Sequence, residues 1–239
     1  MKLEFLGVGN FFTRTDHQTN LLINDRILVD CGMTAGRALS AAGRSFTDID
    51  HIFITHTHAD HIGGLEECAF HSRFLAGGRK PHLHLPEELM DVVWERSLRG
   101  GLEDTDGGAC ELSDYFQVHL AERHFEIEGL AFEITPTLHV PGKFCCGLRV
   151  GNRVYYSGDA QHDPDRVESH GKDVETIFHD CQFATGGIHA SLDELAGLPE
   201  YLRSKTLLVH YADNHASFQE PAAQMGFGWA QARTVYTYD

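Results

Sequence analysis

The stretch Thr55-His56-Thr57-His58-Ala59-Asp60-His61 decides the reading of this chain, because it sets His56, His58, Asp60 and His61 within six residues. Imidazole and carboxylate are both ligands of zinc-type ions, and spacing this dense brings them to one point. Upstream, Asp50-His51-Ile52-Phe53-Ile54-Thr55 is rich in β-branched and aromatic residues and predicts a buried strand. Downstream, Ile62-Gly63-Gly64-Leu65-Glu66-Glu67 predicts the start of a helix. The four groups therefore sit on a strand-to-helix turn, and Gly63 and Gly64 let the following backbone pass close to it.

A site made from one turn is incomplete, so further ligands are expected at other strand ends. Phe132-Glu133-Ile134-Thr135-Pro136-Thr137-Leu138-His139 carries a strand out to His139 and turns at Pro141-Gly142. Val154-Tyr155-Tyr156-Ser157-Gly158-Asp159 ends on a carboxylate, and Leu207-Leu208-Val209-His210 ends on an imidazole. Asp30, after Leu28-Val29, is placed to support a ligand imidazole from behind.

Short strand-like runs recur near residues 2–6, 20–24, 26–30, 51–55, 116–120, 124–128, 131–135, 146–150, 153–157, 175–179, 206–210 and 233–238. Asn24-Asp25 and Gly151-Asn152 mark tight hairpins, and helices are expected near 34–42, 61–76, 86–98 and 191–203. Helices falling between groups of strands suggest an α/β chain of αββα layering over a single domain, 1–239. Segment 99–114 is acidic, glycine-rich and aperiodic, and is expected to be a mobile insertion serving as a lid, a dimer arm or a plain loop.

At 239 residues and 42% hydrophobic, the chain is long enough for a large core. Its net charge of −16, from 35 acidic against 19 basic residues, argues against holding a long nucleic acid. Six cysteines without a CxxC pair read as reduced thiols. Without an apolar span or leader, a soluble, cytoplasmic protein is expected.

His56, His58, Asp60 and His61, then His139, Ser157-Gly158-Asp159 and His210, in this order, resemble the metallo-β-lactamase fold hydrolases. The resemblance spans nearly the whole chain and implies a four-layer αββα sandwich with two divalent metal ions at one edge. By it, His56, His58 and His139 hold one ion, Asp60, His61 and His210 the other, and Asp159 bridges. Zinc is the first expectation, with manganese, cobalt or iron also suited to such a donor set. Five neutral imidazoles and two carboxylates leave two divalent ions a net charge of about +2, so the site attracts a compact anion while the surface repels a polyanion. Such ions activate water and polarise the substrate, which suits phosphodiester, thioester and lactone hydrolysis alike.

Asp180, in Ile177-Phe178-His179-Asp180-Cys181-Gln182-Phe183, and His189, in Gly187-Ile188-His189-Ala190, narrow the choice. The pair is similar to that of the tRNase Z-like phosphodiesterase branch, where a carboxylate orients a histidine that protonates the leaving alkoxide. By this resemblance Asp60, Asp180 and His189 are the catalytic candidates. The match departs from the branch in reading His-Asp-Cys-Gln-Phe for its usual Glu-Ala-Thr-Phe. Tyr211-Ala212-Asp213-Asn214-His215 likewise differs from the Phe-Ser-x-Arg-Tyr of tRNA enzymes, and a basic arm is missing. A small anionic phosphodiester, and within the branch a cyclic nucleotide, is therefore the expected substrate. A tRNA 3′-end endonuclease and a thioester or lactone hydrolase are the alternatives, and a homodimer is compatible. Phe11, Phe12, His17, Phe144 and His215 are candidates for a base pocket, whereas His51, His82, His84 and His119 are assigned no role.

Overall fold

The computed structural model describes residues 1–239. Its strands are β1 (Lys2–Gly7), β2 (Asn20–Ile23), β3 (Ile27–Val29), β4 (His51–Phe53), β5 (His82–Leu85), β6 (Asp104–Thr105), β7 (Gly108–Ala109) and β8 (Gln117–Leu120). There follow β9 (His124–Ile127), β10 (Leu130–Pro136), β11 (Cys146–Val150), β12 (Val154–Tyr156), β13 (Thr176–Asp180), β14 (Thr206–Val209), β15 (Gly228–Trp229) and β16 (Val235–Thr237). Two seven-stranded sheets form, in the orders β16-β1-β2-β3-β4-β5-β8 and β15-β14-β13-β12-β11-β10-β9.

Alternation along the strands builds the layers, because successive side chains leave opposite faces of a sheet. Leu3, Phe5, Leu21, Val29 and Phe53 join Phe132, Leu148, Phe178 and Val209 in a cluster of 22 buried residues between the sheets. The intervening Leu6, Leu22, Leu28 and Ile52 pack outward against helical Ala38, Leu39, Leu65 and Val93 in a cluster of 26. Tyr155, Ile177 and Leu208 do the same on the far side, against Val167, Leu195 and Leu202, in a cluster of 13. Three apolar interfaces between four layers make the αββα sandwich.

β3, β4, β5 and β8 run parallel, as do β12, β13, β14 and β15. Their carboxyl ends lie where β3, β4, β12, β13 and β14 give way to Asp30, His56, Asp159, Asp180 and His210, the place where open α/β sheets hold ligands.

The helix expected over 61–76 is broken into Ala59–Ile62, Leu65–Phe70 and a wider turn at His71–Leu75. The break falls at Gly63-Gly64, where a Cβ on Gly64 would sit 2.4 Å from the carbonyl oxygen of Gly32. Only glycine allows that approach. The helix expected over 191–203 is split into Leu192–Leu195 and Glu200–Arg203, with Pro199 starting the second piece. Segment 99–114 carries short regular elements. A helical turn at Arg99–Leu102, the small hairpin β6-β7 and a turn at Leu112–Tyr115 order it, and Leu102, Cys110, Leu112 and Tyr115 are buried in the outer core. Helix Pro164–Gly171 escaped notice, although Asp163 caps it and Pro164 opens it. All six cysteines are free thiols. No helix is long and apolar enough to cross a membrane.

Candidate metal centre

All seven expected ligands converge. His56, His58, His139 and Asp159 form one group of donor atoms within 4.8 Å of one another, and Asp60, His61, Asp159 and His210 form a second. Asp159 belongs to both through different oxygens. Its Oδ2 lies 3.6 Å from Nε2 of His56 and 3.6 Å from Nε2 of His139. Its Oδ1 lies 3.3 Å from Nε2 of His61 and 3.5 Å from Nε2 of His210. Further edges are 3.1 Å from His56 to His58, 3.3 Å from His139 to His58, 3.2 Å from His210 to Asp60 and 3.5 Å from His61 to Asp60.

These distances test the fit of a cation. Metal–nitrogen bonds of about 2.0–2.1 Å give tetrahedral donor–donor edges of about 3.3 Å, the length found around both groups. Nε2 of His61 and both oxygens of Asp159 are buried without a hydrogen-bond partner. A buried polar atom left bare is destabilising by roughly 1–3 kcal/mol, more when charged, and a bound cation removes that penalty. The donor set fits a divalent metal.

The chain also fixes which nitrogen each ring presents. A carboxylate or carbonyl oxygen only accepts, so the ring nitrogen facing it must carry the proton. His61 donates from Nδ1 to Asp30 at 2.7 Å, and His139 donates from Nδ1 to the carbonyl of Ile188 at 2.7 Å. The Thr55 hydroxyl donates to Asp30 at 2.9 Å and faces Nδ1 of His56 at 3.1 Å. Asp30, fully buried, thus orders two ligands at once, and Thr55 is the connecting residue that sequence reasoning missed. Asp30 and His210 adopt left-handed φ values of 64° and 57°, a conformation non-glycine residues rarely take and one concentrated at functional sites. Gly158 turns with φ 59°, and a Cβ there would lie 2.4 Å from the carbonyl oxygen of Cys146. That turn brings Asp159 inward.

Burial lowers the pKa of the His56 imidazole, and His61 lowers it further, which leaves it neutral and able to donate a lone pair. For Asp159, burial opposes ionisation, but His210 and His61 outweigh it and hold the carboxyl well below its usual range.

Asp180 and His189 meet beside the cluster. His189 donates from Nδ1 to Oδ2 of Asp180 at 2.7 Å, and the same oxygen accepts from the backbone N–H of Ala160 at 3.1 Å. Burial lowers the His189 pKa, yet the Asp180 hydrogen bond and charge prevail and push it up to about 9. Helix capping is done by Ser191, whose hydroxyl accepts from Glu194 N–H at 3.2 Å, so neither member of the pair is spent on it.

His189, Asp60, Asp159 and His210 open onto a cavity of about 410 Å3 that Phe11 and Phe12 also line. The other base-pocket candidates lie elsewhere: His17 and His215 sit in separate hollows, and Phe144 faces the region of Thr57 and Lys143. Asn10, Gln182 and Ile188 join the lining unforeseen. Gln182 follows Asp180 by two residues and Ile188 precedes His189, so closeness in sequence was the available signal.

The family model of the anti-Pycsar protein Apyc1 matches residues 1–236. The chain belongs to that family. It is 40% identical over 252 residues to the anti-Pycsar protein Apyc1 of Bacillus phage 010DV004, covering 98% of this chain and 97% of the relative. It is 36% identical over 246 residues to that of Paenibacillus sp. (strain J14), covering 99% of each. Among solved structures it is similar to a diphosphatase from the PhnP family, with a TM-score of 0.77 and 19% identity over 100% of this chain and 98% of the other. It is also similar to the metallo-β-lactamase fold protein YhfI of Bacillus subtilis, with a TM-score of 0.74 and 17% identity over 98% of each. The short form of human tRNase Z gives 0.69 and 17% over 99% of each. The family's fold is thus that of the metallo-β-lactamase hydrolases.

Proposed function

We propose that the chain is a two-metal phosphodiesterase that hydrolyses small cyclic nucleotides. The observation that carries this reading is the His189–Asp180 pair at 2.7 Å, set beside Asp159 on the cavity wall. His56, His58 and His139 would hold one ion, Asp60, His61 and His210 the other, and Asp159 both, with zinc as the first fit. When bound, the ions supply charge stabilisation and water activation. The membership of relatives called anti-Pycsar proteins supports a role against cyclic-nucleotide signalling.

The remaining chemistry is the protein's own. Breaking a P–O ester bond releases an alkoxide, which is a poor leaving group until protonated. With Nδ1 engaged by Asp180, His189 presents Nε2 to the cavity, and the hydrogen bond and charge of Asp180 favour its protonated form. Water supplies the oxygen that joins phosphorus and releases a proton, the P–O ester bond breaks, and the departing oxygen takes a proton from His189, which the proton released from water replaces. Asp180 holds the ring and balances the imidazolium. Phe11 and Phe12 offer an apolar face to a base, in a cavity whose volume suits a small ligand. The net charge of −16 disfavours a long nucleic acid while leaving a compact anion free to enter.

The test is a panel of cyclic AMP, cyclic GMP, cyclic UMP, bis(p-nitrophenyl) phosphate and precursor tRNA, with metal analysis on the same sample. Turnover of cyclic nucleotides with about two ions per chain is expected. Failure to hydrolyse any diester would sink the reading.

A further inference from the structure

The loop between β1 and β2 has a second side. Its residues Asn10, Phe11 and Phe12 line the cavity described above, while Thr13 to His17 form one wall of a separate hollow of about 420 Å3. Three elements supply its cations: Arg14 from the loop, Arg37 from helix Ala35–Ala41 and Arg233 from the turn before β16. No apolar side chain lines it.

Three arginines line this one hollow in a chain that carries only 19 basic against 35 acidic residues, and Nη1 of Arg14 donates to the carbonyls of Phe11 and Thr13 at 3.4 and 3.1 Å. Elsewhere most arginines are matched, among them Arg26 and Arg79 to Asp50, Arg44 to Asp25 and Arg153 to Glu175. None of Arg14, Arg37 and Arg233 forms an ion pair. Asp16 is the one carboxylate in the lining, and its Oδ1 accepts from the backbone N–H of His17 at 2.8 Å. Three cations against Asp16 in the lining and Asp213 just behind it still leave a formal excess of one positive charge.

The frame around it is braced. Asp213 accepts from the N–H groups of Arg14 and Thr15 at 2.9 and 3.1 Å and from the Thr15 hydroxyl at 2.6 Å. Thr34 accepts from Gln18 N–H at 2.9 Å, which ties the loop to the start of the Arg37 helix. Arg233 is fixed at φ 61° while its N–H donates to the Phe5 carbonyl at 2.7 Å. Walls held in place spare a ligand the ordering penalty.

We infer that this hollow is a second binding site, for a compact phosphate anion such as orthophosphate or pyrophosphate. Guanidinium groups match phosphate oxygens in pairs, and three arginines carried by three separate elements suit a compact anion with several charged oxygens. The absence of apolar lining rules against a ligand held by its base. The site is separate from the metal-type ligand cluster, sharing no residue with it.

Calorimetric titration of the full chain tests this, using Asp60→Ala to weaken anion binding at the other site. Orthophosphate, pyrophosphate, UMP and uridine are titrated at low salt. Pyrophosphate should bind at one equivalent, more tightly than orthophosphate and progressively less as salt rises. Adding Arg37→Gln and Arg233→Gln should weaken it at least about tenfold, with Arg37→Lys and Arg233→Lys falling between. Melting curves confirm folding, and the lysine pair serves if the glutamine pair unfolds. Undetectable pyrophosphate binding, binding indifferent to the arginines, or uridine bound as tightly as UMP each overturns the site. None of these results depends on whether the protein cuts diesters.

Discussion

His-x-His occurs at His56-Thr57-His58 and again at His82-Leu83-His84, and the two have opposite fates. The first lies on the turn after β4, where the chain leaves its sheet and both rings can swing to one point. The second lies inside β5, where alternation holds both rings on one face beside His51 of β4 and His119 of β8. There the rings stack, with centroids 4.7 Å apart for His51 and His82 and 5.0 Å for His84 and His119. Their nitrogens pair with each other, His51 Nδ1 with His84 Nε2 at 3.0 Å and His82 Nδ1 with His119 Nε2 at 2.7 Å. In the other group each of three rings is anchored from behind by Asp30, Thr55 or the Ile188 carbonyl, which leaves Nε2 free in front. Density of histidine does not make a metal site. Acceptors behind three of the rings and a shared carboxylate in front set this group apart.

That contrast breaks most sharply at Asp159. Asp159→Asn keeps the shape but removes the charge that both groups share, so metal content should collapse and cyclic-nucleotide turnover should fall about a thousandfold or more. His84→Phe should leave both unchanged. Metal analysis and steady-state rates on the two variants decide it, and equal loss in both would erase the distinction.

His189→Ala probes the one histidine beside the cluster that holds no place among the seven ligands. Turnover of cyclic nucleotides should drop about a hundredfold or more, the usual range for a general acid. Hydrolysis of bis(p-nitrophenyl) phosphate, whose leaving group departs without a proton, should drop only a few fold. Parallel losses would assign His189 to shaping the cavity instead.

Asp30→Asn tests the anchors. The amide keeps the volume but no longer fixes His61 in the tautomer that frees Nε2. Metal affinity measured by competition with a chelator should weaken by about 10- to 100-fold. An unchanged affinity would mean that the left-handed Asp30 serves the turn and not the ligand.

Much of this was legible because the strands carry their own grammar. The alternation in Leu3-Glu4-Phe5 and the continuous apolar run Leu207-Leu208-Val209 marked the sheets, and strand-ending His139, Asp159 and His210 marked the edge where they meet. What escaped depended on contacts distant in sequence. The Thr55–Asp30 bond, the Ile188 anchor behind His139 and the burial of Leu102 and Tyr115 all come from chain segments that folding alone brings together. Helices were overextended for a related reason, since Gly64 and Pro199 interrupt them to satisfy close packing and chain reversal.

The stack's own signature is its response to acid. Burial, and then His119, His51 and His82, press the His84 pKa down from 6.5 to about 3. The unfolded chain therefore takes up a proton as the pH drops through 6.5, whereas the folded protein resists until about pH 3. Stability from this group is complete above pH 6.5 and is lost progressively below it. At pH 5 the loss is about 1 kcal/mol once partial exposure is discounted, which for a chain of this size lowers the melting temperature by about 2–4 °C. His84→Phe removes the titrating group and keeps a ring against Phe125, whose centroid lies 6.3 Å from that of His84. Its melting temperature should fall less than that of the wild type between about pH 7.5 and pH 5, by that same margin. An equal fall would place the acid sensitivity among the carboxylates and the ligand histidines, and would leave the stack as packing alone.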